Sequence, residues 1–354
     1  MKNIVLHIGL PKTGTTALQR SYFPQIQNYN TCYNPSNIIK PIVQLLKVID
    51  FFGMKDEDVE MFNSYLAQEL NKIDSKNIFI SLENLSSRLL KFDFKTRGDF
   101  LKKIFPDAKI VIVLRYQPDL LRSLYQQHVA QDYFLFPNEV FMPFSRLSFD
   151  RESSWKEAMV INIAEWDYAA LVRHFKSLFG DNFHVLFYED HARNLNHLGN
   201  EILAVSGLPN KTQVLTRPVE KTNISYNSIT MKVIYILTRT RLAFRSNIGH
   251  DSQKINDLKN QAERSRYLFD AGSLDEFGKR INDFNHDNSI VLTGLDSILI
   301  NSIRKFNYYF DSFCSLRFEL PREIKFYLEC KAKMMNKELE MVLGKGTLPP
   351  KYTD

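Results

Sequence analysis

Residues 3–22 read Asn3-Ile-Val-Leu-His-Ile-Gly9-Leu-Pro-Lys12-Thr13-Gly14-Thr15-Thr16-Ala17-Leu-Gln-Arg-Ser-Tyr22. The first seven are apolar and rich in β-branched side chains, which suits a buried strand. The middle is a turn with glycine and threonine. The last six are compatible with a helix. Strand, loop and helix thus follow one another within twenty residues. Three further segments repeat the strand pattern: Asn77 to Leu82 (NIFISL), Lys109 to Arg115 (KIVIVLR) and Phe183 to Tyr188 (FHVLFY). Each is short, nearly continuously apolar and flanked by helical periodicity. Helices are predicted over Glu57–Lys72, Thr96–Ile104, Pro118–Gln131, Asp167–Leu178 and Leu198–Val205. Continuous apolar strands alternating with helices predict an α/β fold with a central parallel sheet covered on both faces.

Composition agrees with a packed globule. Of 354 residues, 44% are hydrophobic and 13% aromatic, enough to bury a core and too apolar for a disordered chain. The excess of 46 basic over 40 acidic residues gives +6. That favours an anionic ligand but is too weak to imply nucleic acid. Cys32, Cys314 and Cys330 are few and far apart, so neither a disulfide framework nor a metal site is expected. No stretch reaches the roughly 20 apolar residues of a membrane span. The apolar start leads into a glycine loop rather than a cleavage site, so no signal peptide and a cytoplasmic location are expected. No linker or repeat divides the chain. One domain over 1–344 is expected, with a helical part from about 217 to 344 and a loose tail over 345–354.

The loop over 9–16 has the composition of an anion cradle. Gly14 allows close backbone approach, and the amides of Thr13 to Thr16 lie at a helix start, where they lack partners and feel the helix dipole. Thr15 and Thr16 add hydroxyls, and Lys12 adds charge. A triphosphate loop would carry Lys directly after the second glycine, followed by a magnesium-binding Ser or Thr. Here Thr15 holds that place and the lysine lies two residues before Gly14. The run Pro11-Lys12-Thr13-Gly14-Thr15-Thr16 resembles the 5′-phosphosulfate loop of sulfotransferases.

A second motif supports the same family. The third long strand ends in Arg115, followed by Pro118 and by Ser123 on a helix. A strand-end arginine points into the crevice where open α/β sheets bind ligands, and a guanidinium with a hydroxyl suits a phosphate monoester. The segment Arg115 to Tyr125 resembles the family's 3′-phosphate motif, with the Arg-to-Ser spacing of eight kept and Arg122 displaced to the position directly before Ser123. Weaker similarity continues through Tyr188-Glu-Asp190 and the 217–225 stretch. The resemblance implies a P-loop three-layer sandwich with helical additions. It also implies 3′-phosphoadenosine 5′-phosphosulfate (PAPS) as sulfuryl donor, no metal, and a hydroxyl-bearing acceptor. Lys12, Thr13, Gly14, Thr15 and Thr16 would hold the 5′-phosphosulfate, and Arg115 and Ser123 the 3′-phosphate.

Lys12 is also the expected stabiliser of the leaving oxygen. Glu83, at the end of the second long strand, is the candidate general base. Some sugar-acting members carry Glu there, which points to a carbohydrate or glycolipid acceptor. A purely capping role for Glu83 is the competing assignment. His7 is expected in the core and His128 at the surface. Between Arg217 and His250 six basic residues face one acid, Glu220, a surplus of five. That stretch is either a solvated helix face or a wall of the cleft. Acceptor-binding elements are expected over Phe134–Trp155 and after Arg217. Two other functions compete: a nucleotide or sugar kinase using ATP and magnesium, and a non-enzymatic binder of anionic polymers.

Overall fold

The computed structural model describes residues 2–86, 93–130, 136–145, 160–192, 194–208, 227–244, 249–283 and 318–353. Five strands form one sheet: β1 (Asn3–His7), β2 (Thr31–Tyr33), β3 (Asn77–Ser81), β4 (Lys109–Leu114) and β5 (Phe183–Phe187). Their order is β2-β3-β1-β4-β5, and every pairing is parallel. The four long apolar runs are all strands. The edge strand β2 and the Ser36–Phe52 helix behind it were not predicted.

The sheet is buried on both sides, which explains its continuous apolar strands. Val5, Phe79, Val111 and Val113 face one layer, formed by Leu18, Tyr22 and Phe23 with Leu198, Ile202 and Leu203. Leu6, Ile78, Ile80, Ile110, Ile112 and Leu114 face the other. That layer contains helices Ser36–Phe52, Phe94–Ile104, Gln117–Ala130 and Tyr168–Phe179. The result is the expected α/β three-layer arrangement.

Strands that are apolar on both faces lack the alternation that fixes register elsewhere. Polar pairs supply it here. Asn3 lies opposite Asn77 and donates to it at 3.0 Å, and His7 lies opposite Ser81 with Nδ1 and Oγ 2.8 Å apart. Helix starts are set by side-chain caps. Asp93 accepts from the Thr96 amide at 3.3 Å, and Asp167 from the Ala170 amide at 3.0 Å.

The helical part contains Ser228–Phe244, Gly249–Phe269, Leu274–Asp283 and Arg322–Leu343. Ser265 Oγ donates to Gln44 Oε1 at 2.7 Å inside the protein, and Arg266 pairs with the buried Asp58. These bonds fasten the 249–269 helix to the α/β core. The tail differs from expectation. Residues Pro350–Thr353 form a helical turn, and Tyr352 is 1% exposed. It is held because its ring packs against Tyr116 and Phe187, at centroid distances of 5.5 and 5.2 Å.

Gly199 lies inside the Leu195–Val205 helix, where alanine normally gains about 1 kcal/mol. A Cβ there would meet the Tyr22 ring at 2.5–2.7 Å. Overpacking costs about 1–3 kcal/mol and outweighs the helix gain. Gly199→Ala is therefore expected to lower the urea unfolding midpoint, and a raised midpoint would show that the ring can yield.

Candidate active site

The strand order reverses direction at β1. From β1 the chain builds β2 and β3 on one side, then crosses to build β4 and β5 on the other. Ligands bind outside the carboxyl ends of strands at such a switch point. The segments leaving β1, β3 and β4 there carry Lys12, Glu83 and Arg115.

The loop after β1 is shaped by two left-handed residues, Lys12 (φ 65°) and Gly14 (φ 81°). A lysine in that region is strained by roughly 1 kcal/mol or more. Internal bonds hold it. Thr13 is fully buried, and its hydroxyl donates to the Leu10 carbonyl at 2.7 Å and lies 2.9 Å from Thr15 Oγ1. The Thr13 and Thr15 hydroxyls thus brace the loop from within, and what they leave for a ligand is their backbone. None of the amides of residues 12–16 has a hydrogen-bond acceptor among the described residues. The chain then continues as helical turns over 15–26.

The loop and the β4 tip meet. Arg115 Nη1 donates to the Lys12 carbonyl at 2.5 Å. The guanidinium lies 4.9 Å from the centre of the Tyr188 ring. A Cβ on Gly14 would come within 3.6 Å of that same ring. Tyr188 therefore borders both the loop after β1 and the tip of β4. Arg115 Nε is buried with no partner among the described residues. Such a donor is costly to bury unless something binds it. Ser123 stands partly exposed on the Gln117–Ala130 helix, and its hydroxyl has no hydrogen bond among the described residues. Arg122 is turned to Asp119 and Glu319 instead.

On the opposite side, Glu83 Oε1 accepts from Thr16 Oγ1 at 3.2 Å. Burial raises the Glu83 pKa; the Thr16 hydrogen bond and the Lys12 charge oppose the rise without cancelling it. Burial likewise lowers the Lys12 pKa; Glu83 counters this and Arg115 adds to it. For both groups desolvation outweighs their mutual attraction. Lys12, Glu83 and Arg115 therefore share one electrostatic site. Thr13, Gly14, Thr15 and Thr16 form its floor, and Ser123 joins it through no described contact.

His7 is fully buried beneath the loop. A Cβ on Gly9 would lie 3.0 Å from its Nε2, so only glycine lets the loop settle there. Burial lowers the His7 pKa to about 3. His7 belongs to the core, as expected. Around Arg115, sequence reasoning missed Tyr168 and Tyr352 and gave Tyr188 and Glu189 no role beyond a weak family similarity. The run Tyr188-Glu-Asp190 directly after β5 was the available signal. The side chain of His128 and residues 217–225 lie outside the described residues, as do most of 134–155 and the side chains of Arg239 and Arg241. Lys232 is exposed.

A family model described as "Sulfotransferase domain" matches residues 2–266. The chain belongs to this family. Sulfotransferases are enzymes, and the match spans the loop, the Glu83 segment and the Arg115 motif alike. The chain is also similar to a crystal structure of a sulfotransferase from Alicyclobacillus acidocaldarius. Identity is 18% and the TM-score 0.39, over 68% of this chain and 94% of that one. No curated protein matches the chain. Among the described residues, no helix is long and apolar enough to cross a membrane, and no group of three or more His, Cys, Asp or Glu could hold a metal ion.

The buried neutral His7 makes stability depend on acid. Its folded pKa of about 3 lies below the unfolded 6.5, so the unfolded chain binds the extra proton between these values. The His7 contribution is complete above pH 6.5 and is lost as pH falls toward 3, at about 1.4 kcal/mol per pH unit. His7→Gln should flatten the fall of unfolding free energy between pH 6.5 and 5; an unchanged slope would assign it to other groups.

Proposed function

We propose that this sulfotransferase moves a sulfuryl group from PAPS to a hydroxyl of a carbohydrate or glycolipid. The observation that carries the reading is the Arg115–Lys12 hydrogen bond, which sets a guanidinium with a spare buried donor beside a loop with free amides. A donor with a phosphate at each end of one nucleoside needs two adjacent anion sites. Lys12, Thr13, Gly14, Thr15 and Thr16 would hold the 5′ end, and Arg115 with Ser123 the 3′ end. The bound donor supplies a sulfuryl group attached to a phosphate leaving group.

The chain's own residues divide the remaining work. An anion arriving beside Lys12 favours its charged form against the burial that disfavours it, and Lys12 offers that charge to the leaving oxygen as the bond to sulfur breaks. Glu83 accepts the proton of the acceptor hydroxyl as its oxygen bonds to sulfur. Thr16 orients the carboxylate. A base with a raised pKa takes a hydroxyl proton more readily than an ordinary carboxylate. The saccharide acceptor follows from the resemblance of Glu83 to the strand-end Glu of sugar-acting members.

Adenosine 3′,5′-bisphosphate at a hundred times its Kd should stabilise the protein by about 2.7 kcal/mol, read as a thermal shift. ATP with magnesium should not match it. Preference for ATP-magnesium would favour a kinase, and heparin binding indifferent to nucleotide would favour a polymer binder. Lys12→Ala should reduce turnover by about a thousandfold or more; full activity in that variant would overturn the mechanism.

The pH profile follows from both shifts. Glu83 must be deprotonated, so activity should fall on acidification through a pKa above the ordinary carboxylate value. Lys12 must be protonated, so activity should fall on the alkaline side through a pKa below the ordinary lysine value. Glu83→Gln should remove the acid limb and slow turnover by about 10²–10⁴ while leaving bisphosphate affinity intact. An unchanged rate would return Glu83 to a structural role.

A further inference from the structure

Arg115 is fixed by more than the loop. Its carbonyl accepts from Tyr168 Oη at 2.8 Å. The next residue, Tyr116, gives its amide to Glu189 Oε1 at 2.9 Å. The second Glu189 oxygen accepts from Tyr352 Oη at 3.1 Å. The Tyr352 carbonyl accepts from Asn336 Nδ2 at 3.3 Å, and Asn336 Oδ1 accepts from Gln117 Nε2 at 3.0 Å. Lys351 pairs with Asp119 and lies over the Tyr116 ring. Three of the four residues that follow Arg115 are thus tied to the 350–353 turn or to the 322–343 helix beside it.

A neutral acceptor would suffice to hold one amide. Glu189 is instead a carboxylate kept largely out of water, and its charge and that of Arg115 attract each other. A buried carboxylate is costly, so its presence asks for a return beyond packing. The return is an arginine with its backbone fixed on both sides, its head held by the Lys12 carbonyl and the Tyr188 ring, in the field of the Glu189 charge. Preorganised donors bind an anion without a further ordering cost.

We propose that Glu189 and Tyr352 are positioning residues for Arg115, and that the 350–353 turn sets the exit of β4 and so the place where Arg115 meets a phosphate monoester. The inference rests on the reading of Arg115 as the 3′-phosphate ligand. Arg115 is read as the ligand of the 3′ end, and its supports lie on the side away from the Lys12 loop, so disturbing them should weaken the 3′-phosphate contact more than the 5′ end. Unspecific loosening would affect both ends.

The test compares binding of adenosine 3′,5′-bisphosphate and adenosine 5′-monophosphate to the wild-type full chain and to Arg115→Ala, Glu189→Gln and Tyr352→Phe. The wild type should prefer the bisphosphate, and Arg115→Ala should abolish the preference. Tyr352→Phe keeps the ring and removes only the hydroxyl. It and Glu189→Gln should each weaken bisphosphate binding by about tenfold, the effect of losing a hydrogen bond to a charged group, with monophosphate binding unchanged. Equal weakening of both nucleotides overturns the inference. So does an intact preference in both variants when Arg115→Ala has lost it. If the wild type shows no preference, or Arg115→Ala retains it, the Arg115 reading itself fails.

Discussion

The guanidinium of Arg115 donates to the carbonyl of Lys12, and through this bond the ends of two neighbouring strands become one site. Lys12 sits in a left-handed conformation that a lysine does not prefer, and the buried Arg115 Nε has no partner among the described residues. The bond occupies one donor of the fork and leaves others for a ligand. It also fixes the loop after β1 against the tip of β4.

The charges around that bond are poised rather than satisfied. Lys12 and Glu83 attract each other, yet burial shifts each toward its neutral form. A pair that neutralised itself fully would have nothing left to offer an incoming anion. Arg115 adds to the imbalance by repelling Lys12. The Thr13 and Thr15 hydroxyls stand outside this economy. They close on each other inside the loop and keep its backbone in shape.

Much of the fold was legible because its strands are buried on both faces. Four unbroken apolar runs between helical segments have few other solutions. The short edge strand β2, only Thr31–Tyr33, has no such run and escaped notice. The loop residues were legible because glycine and lysine at fixed spacing carry backbone and charge requirements of their own. Tyr352 and Glu189 were not, because their roles come from contacts across 163 residues of sequence. The tail looked loose for the same reason: ten residues with little periodicity give no sign of the ring pocket waiting between Tyr116 and Phe187. The Thr15 and Thr16 hydroxyls were expected as free donors, but Thr15 Oγ1 turns inward to Thr13 and Thr16 Oγ1 donates to Glu83, contacts that loop composition does not reveal.

The placement of β1 between β3 and β4 has a consequence for how the molecule is made. Asn3 pairs with Asn77, and Val5 with Lys109, so the central strand finds its neighbours only after long stretches of chain have been closed. Parallel pairing over such separations is slow, and nothing local rewards a partial version of it. The glycine–threonine cradle hangs from the end of that strand. It cannot take shape ahead of the sheet. The form of the loop and the closure of the sheet's middle arrive as one cooperative event.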